Sequence, residues 1–253
     1  MIIPQDAPRS DKSSEPATRK ATETDIPPPA YEPASVAPSG APPHIQPANF
    51  IAISRRFGEV KDTFVLDPTL RVPHAMRVPP MRVRHARRVR RAMRGGNGQM
   101  HLSLSALMGE VSAEVYVVSS ETPQSGKTRM VATSIMGTIR LQLHAPAPRA
   151  PISVYISARM GEANLLLPRS FRGPLRISVT LGEVEMSAAL RIMTTTFGDG
   201  RVFVGAWTQG ELEEGVWAGD EAVVDSKLGS VYVGYDDEDL KATTSRVGSS
   251  TAE

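Results

Sequence analysis

The stretch LMGEVSAEV (Leu107–Val115) places a glycine where an alternating strand should continue. Four similar stretches follow: IMGTIRLQL (Ile135–Leu143), RMGEANLLL (Arg159–Leu167), TLGEVEMSA (Thr180–Ala188) and KLGSVYVGY (Lys227–Tyr235). The five glycines, Gly109, Gly137, Gly161, Gly182 and Gly229, set the copies in register. Each is preceded by Met or Leu. Two residues after it come Val111, Ile139, Ala163, Val184 and Val231, and four after it Ala113, Leu141, Leu165, Met186 and Val233. Five and seven residues before it every position is again apolar, as in Leu104 and Leu102 or Ile156 and Val154. A period shared by five segments marks a repeat architecture.

The parity of these positions reads as a corner. Apolar residues sit at odd offsets before the glycine and at even offsets after it, so a continuous strand would send the two sets to opposite faces. A two-residue turn made of Gly and its follower (Glu110, Thr138, Glu162, Glu183, Ser230) returns both sets to one face. On this reading Met108 joins Leu102, Leu104, Val111, Ala113 and Val115 on the buried side. Each copy is strand, turn, strand, and the fold class is all-β. Two architectures fit: a β-solenoid (β-helix-like), with a glycine at each coil's corner, or an antiparallel β-hairpin sheet or sandwich. The glycine spacings are 28, 24, 21 and 47 residues, the last close to two coils, which favours the solenoid.

The repeats lie in a domain expected over residues 48–238. Before it, residues 1–47 hold 11 of the 21 prolines and almost no large apolar residue, and are expected to be disordered. They carry Pro28-Pro29-Ala30-Tyr31, a PPxY pattern that a WW-domain protein binds as a polyproline II segment anchored by the tyrosine. Residues 239–253 read as a second disordered tail. In NFIAISRRFGEVKDTFVLDPTL (49–70) two short strands flank a turn at Phe57-Gly58-Glu59. An Arg-rich insertion, 71–98, includes Arg82, Arg84, Arg87, Arg88, Arg90, Arg91 and Arg94, with no acid from 71 to 94. This basic patch reads as a nuclear signal, an anionic-membrane contact, a nucleic-acid contact or a solvated loop.

Taken in order, NFIAISRRFGEVKDTFVLDPTLRVP, LPRSFRGPL, RVFVGAW, WAGDE and LGSVYVGYDDE resemble a basidiomycete fungal domain-of-unknown-function family over about 49–238. The glycine repeat is more distantly similar to bacterial adhesin-like β-repeat domains, which implies a solenoid. The resemblance brings no activity, catalytic residue or cofactor. That fungal family commonly has Asn before the repeat glycine. Met or Leu stands there here, so glycine alone is expected to adopt positive φ.

Chemistry is sparse. The chain has no cysteine, so thiolate metal sites and disulfides are excluded. SGKT (Ser125–Thr128) lacks the upstream glycine of a phosphate-binding loop and reads as a polar loop. The five histidines lack metal-ligand spacing. Asp220-Glu221 and Asp236–Asp239 read as solvated charge runs, and Trp207 and Trp217 as core or end-capping residues. No nucleophile–base pair is evident, so no enzyme and no cofactor are expected. The N-terminus lacks a signal-peptide pattern and no run is long enough to span a bilayer, so an intracellular protein, cytoplasmic or nuclear, is expected. The leading functional expectation is a non-enzymatic protein-binding scaffold. The alternatives are an adhesin-like carbohydrate-binding surface protein, or a nucleic-acid or anionic-membrane binder acting through the basic patch.

Overall fold

The computed structural model describes residue 42 and residues 44–70, 100–118, 126–197, 201–208 and 217–238. The PPxY motif, the seven arginines of the basic patch and the 239–253 tail lie outside the described residues. The described chain is all-β with one short helix. Its elements are β1 (Ile51–Phe57), β2 (Val60–Leu66), β3 (Leu102–Met108), β4 (Val111–Val117), β5 (Thr128–Met136), β6 (Ile139–His144) and β7 (Ile152–Met160). They continue with β8 (Ala163–Leu167), β9 (Gly173–Leu181), β10 (Val184–Met186), α1 (Ala188–Ile192), β11 (Thr194–Thr196), β12 (Arg201–Val204), β13 (Glu221–Leu228) and β14 (Val231–Tyr235).

Every glycine in the repeat joins a strand of one sheet to a strand of another. The larger sheet runs β1-β3-β5-β7-β13-β9-β12-β11 and the smaller β10-β14-β8-β6-β4-β2. Equivalent strands of successive units pair in parallel and in register, so Leu104 lies beside Ala132 and Val115 beside Leu143. The strands flanking a glycine do not pair with each other, so the hairpin alternative does not describe the repeat. Among the described residues antiparallel pairing is confined to β12 against β9 and β11 against β12.

Inward rows from the two sheets form one core. From the larger sheet come Leu102, Met130, Val154, Ala222 and Leu175, with Leu104, Ala132, Ile156, Val224 and Ile177. From the smaller come Val111, Ile139, Ala163 and Val231, with Ala113, Leu141, Leu165 and Val233. All of these are buried, as the parity predicted, whereas Val184, which the same parity sends inward, is exposed at the end of the stack. Three residues before the glycine the inward side chain is small: Ala106, Ser134, Ala158 and Ser226. The two buried hydroxyls are satisfied by glycine carbonyls, Ser134 donating to Gly109 and Ser226 to Gly229.

The corners explain the glycines. Gly109, Gly137, Gly161, Gly182 and Gly229 have φ between 136° and 142°, where L side chains are strained. They also stack on one another. A Cβ on Gly137 would lie 2.2 Å from the carbonyl oxygen of Gly109, and one on Gly161 2.4 Å from that of Gly137. Hydrogen bonds between units run through the bend: Gly137 N–H donates to Met160 O, and Ile139 N–H to Glu162 O.

Four sequence expectations need correction. Met108 is not buried: the residue before each glycine overhangs the bend and is exposed. The two strands expected around Gly58 are present, but they belong to the repeat: Gly58 is a sixth corner, and β1 and β2 stack on β3 and β4. The 47-residue spacing hides no extra coil. It holds β10, α1, the β11–β12 pair and β13, and the last unit, β13 with β14, inserts between β7–β8 and β9–β10. Asp220 is a buried ion-pair partner, not part of a solvated run. Past β9 the larger sheet continues into β12 and β11, and after β10 the chain turns into α1, which packs against β14, with its first turn capped by Ser187 and its Leu190 fully buried in the core. At the opposite end β1 and β2 still send Val60, Phe64 and Leu66 into the core, but two of the equivalent positions carry exposed polar residues, Arg55 and Asp62, as suits a terminal repeat.

Candidate functional site

The residue before each corner glycine builds the most regular exposed feature of the fold. In stacking order these residues are Phe57, Met108, Met136, Met160, Leu228 and Leu181, each the register partner of the next. Their exposures run from 42% to 71%. Neighbouring strands stand about 4.8 Å apart, so six rungs make an apolar ladder about 24 Å long. The deepest core positions lie next to the ladder in sequence, yet the bend at glycine keeps its side chains in water.

Charged rows border it. The residue after each glycine is Glu59, Glu110, Thr138, Glu162, Ser230 and Glu183 in the same order. Glu110 is 3.7 Å from Arg140, and the Glu59 carbonyl accepts from Arg55. The residue before each ladder position is Arg56, Leu107, Ile135, Arg159, Lys227 and Thr180, which puts opposite charge on the other side.

A second cluster lies on the outer face of the smaller sheet. His144 Nε2 is 3.1 Å from Glu114 Oε1, and its Nδ1 is 3.0 Å from Asp236 Oδ2. Tyr116 stacks on the imidazole at 4.6 Å and donates to Glu114 at 2.6 Å. Gln142 Nε2 donates to the Asp236 carbonyl, and Arg169 pairs with the neighbouring Asp237. The hydrogen bond to Asp236 raises the His144 pKa against a smaller opposing effect of burial. The hydrogen bond to Glu114 pushes Tyr116 up to about 12. With a carboxylate at each ring nitrogen, the imidazole has no lone pair directed to a substrate while both contacts hold. Among the described residues no group of three or more His, Cys, Asp or Glu is placed to hold a metal ion.

His101 has the opposite character. It is buried, its Nδ1 accepts from the Arg129 N–H, and burial with the nearby Arg129 charge lowers its pKa to about 4. The two histidines therefore link stability to pH with opposite signs. His144 contributes stability that is complete below its unfolded pKa, near 6.5, and is lost as pH rises through its higher folded value. His101 contributes stability present above about 6.5 and lost as pH falls towards 4, roughly 3 kcal/mol in full. Urea unfolding across roughly pH 4–9 should show His101→Asn flattening the acid limb and His144→Gln the alkaline one. An unchanged profile in both variants overturns these assignments.

A third feature is a cleft of about 460 Å³ lined in part by Pro148, Arg149, Pro151, Arg172, Trp217 and Asp220. Its cations are already engaged. Arg149 makes a bidentate pair with Asp220, at 2.7 and 2.8 Å, and Arg172 Nε donates to Ala206 O while its guanidinium lies 5.6 Å from the Trp217 ring. Trp217 meets Phe203 edge-on and donates to the Asp220 carbonyl, so it packs beside the start of β13 and lines the cleft. Trp207 packs against Phe197. Lys127 of SGKT pairs with Glu221 and donates to Trp217 O, and Thr128 opens a strand where a phosphate-binding loop would open a helix.

The five predicted corner glycines are brought into one column. The predicted partner-binding residues Pro28, Pro29 and Tyr31, and the basic-patch arginines, lie outside the described residues. Sequence reasoning missed the ladder as a surface, although its signal, Met, Leu or Phe before every glycine, was visible. The His144 cluster had no local signal: its members are 30 and 92 residues apart.

No helix among the described residues is long and apolar enough to cross a membrane. No curated protein and no solved structure matches the chain. A family model, described as "Domain of unknown function (DUF7330)", matches residues 49–238, the span of the stacked units and α1; the chain belongs to that family.

Proposed function

We propose that this protein is a non-enzymatic scaffold: a short β-solenoid, acting inside the cell, that binds other proteins through the apolar ladder at its glycine corners. What supports the solenoid is the parallel, in-register stacking of two-strand units around one core. The observation that carries the binding role is the ladder itself. Scattered surface apolar residues are ordinary, but six contiguous ones bordered by charges have the character of an interaction site. The PPxY motif adds a second attachment point for a WW-domain protein.

The test is quantitative proximity labelling with the full chain and with Met136→Ser/Met160→Ser. Both methionines are surface residues, so the variant should keep its thermal midpoint and lose a defined set of neighbours. Identical neighbour sets overturn the scaffold proposal. Separately, Tyr31→Ala should abolish recovery of WW domains; equal recovery removes the tail from the proposal.

A further inference from the structure

We infer that the ladder receives an amphipathic α-helix of about 16 residues, basic along one flank, lying parallel to the stacking axis. The inference rests on the scaffold proposal and gives its partner a chemistry. Repeat distance favours a helix. Rungs recur about every 4.8 Å. The apolar stripe of a helix, at i, i+3, i+4 and i+7, advances about 5 Å per turn-to-turn apolar step, so its knobs keep step with the rungs. Same-face side chains of an extended peptide recur about every 6.8 Å and fall out of step within two rungs. About 24 Å of ladder corresponds to about 16 helical residues.

Charge agrees with this occupant. Glu59, Glu110, Glu162 and Glu183 follow the ladder on one side at four of six rungs, and Arg56, Arg159 and Lys227 on the other. A helix with Lys or Arg on the flank facing the glutamates, and acids on the flank facing the bases, meets complementary charge at four rungs on one side and three on the other. The opposite signs also fix its direction, because reversing the helix brings like charges together. The rungs have suitable side chains: Met108, Met136 and Met160 are unbranched and adapt to irregular partners.

The probe is a fluorescein-labelled synthetic peptide of about 16 residues with leucines at helical i, i+3, i+4, i+7 spacing, lysines on one flank and glutamates on the other. Anisotropy titrations use the full chain. Saturable binding is expected, weakened at least about tenfold by Met136→Ser/Met160→Ser. Glu110→Gln/Glu162→Gln should weaken it about threefold at low salt and less at high salt. Three outcomes overturn the inference. The first is equal binding by a composition-matched peptide carrying two central prolines. The second is ladder-dependent self-association of the wild type, which would make a second copy the occupant. The third is methionine-dependent binding to phosphatidylserine-containing vesicles with no binding of the peptide. If Met136→Ser/Met160→Ser loses neighbours in cells but the peptide does not bind, the helix fails and the scaffold stands. If the variant loses none, the scaffold itself fails.

Discussion

Gly137→Ala should unfold the domain or destabilise it by at least about 4 kcal/mol, whereas Gly58→Ala should cost only about 1–2 kcal/mol. Both glycines have positive φ, 138° and 92°, so strain alone does not separate them. Space does. A methyl at position 137 would lie 2.2 Å from the Gly109 carbonyl oxygen and 2.6 Å from its carbon, backbone atoms held by the inter-unit ladder. At position 58, the first rung, nothing lies within 4 Å. Relieving the clash at 137 means parting two units through the bend, where Gly109 N–H and Val111 N–H donate to the next unit at 2.8 and 2.9 Å. Chemical denaturation of the two variants side by side checks this. Equal losses would mean that backbone conformation, not contact between units, makes the glycines necessary.

Asp220→Ala should cost about 5 kcal/mol, and Asp220→Asn somewhat less. This carboxylate accepts four hydrogen bonds: two from Arg149, one from the Ile152 N–H at 2.8 Å and one from the Arg172 N–H at 3.0 Å. Both ion-pair side chains are buried. Removing the acid strands a buried guanidinium and two backbone donors, which costs more than the pair itself contributes. The position matters as much as the energy. Asp220 immediately precedes β13, while its donors lie before β7, at the start of β7 and before β9, and β13 separates those two strands. Arg149→Met with Asp220→Leu should recover much of the loss, because an apolar pair leaves no charge unpaired there. Thermal unfolding of the single and double variants reads this out. A double variant no better than Asp220→Ala would show that the backbone donors dominate.

Much of the core was legible because parity is a local property. Leu102, Leu104, Val111, Ala113 and Val115 are inward, as the offsets from Gly109 predicted. The failures are all non-local. Met108 has the right parity for burial, but overhangs the bend beyond the reach of the facing sheet. The turn at Gly58 was legible, but its unit was left out of the repeat because it carries Asp62 and Arg55 where internal units carry apolar or small residues, and those polar residues are what an end unit needs. Asp220 looked like surface charge because its partner lies 71 residues away in sequence. The order of the units was hidden for the same reason: matching rows say which residues face inward, not which unit each one lies beside.

That order has a consequence for synthesis and for descent. The space between β7–β8 and β9–β10 is filled only by β13 and β14, whose last residue is Tyr235. A nascent chain can assemble its first four units as they leave the ribosome. The fifth, with α1, has nothing to rest on until the final unit arrives, so closure waits until Tyr235 has been made. Tandem duplication of the final unit cannot lengthen such a stack, because the last unit in sequence is not the last in space. Only the first four units stack in chain order, so duplication among them is the route by which such a stack could lengthen.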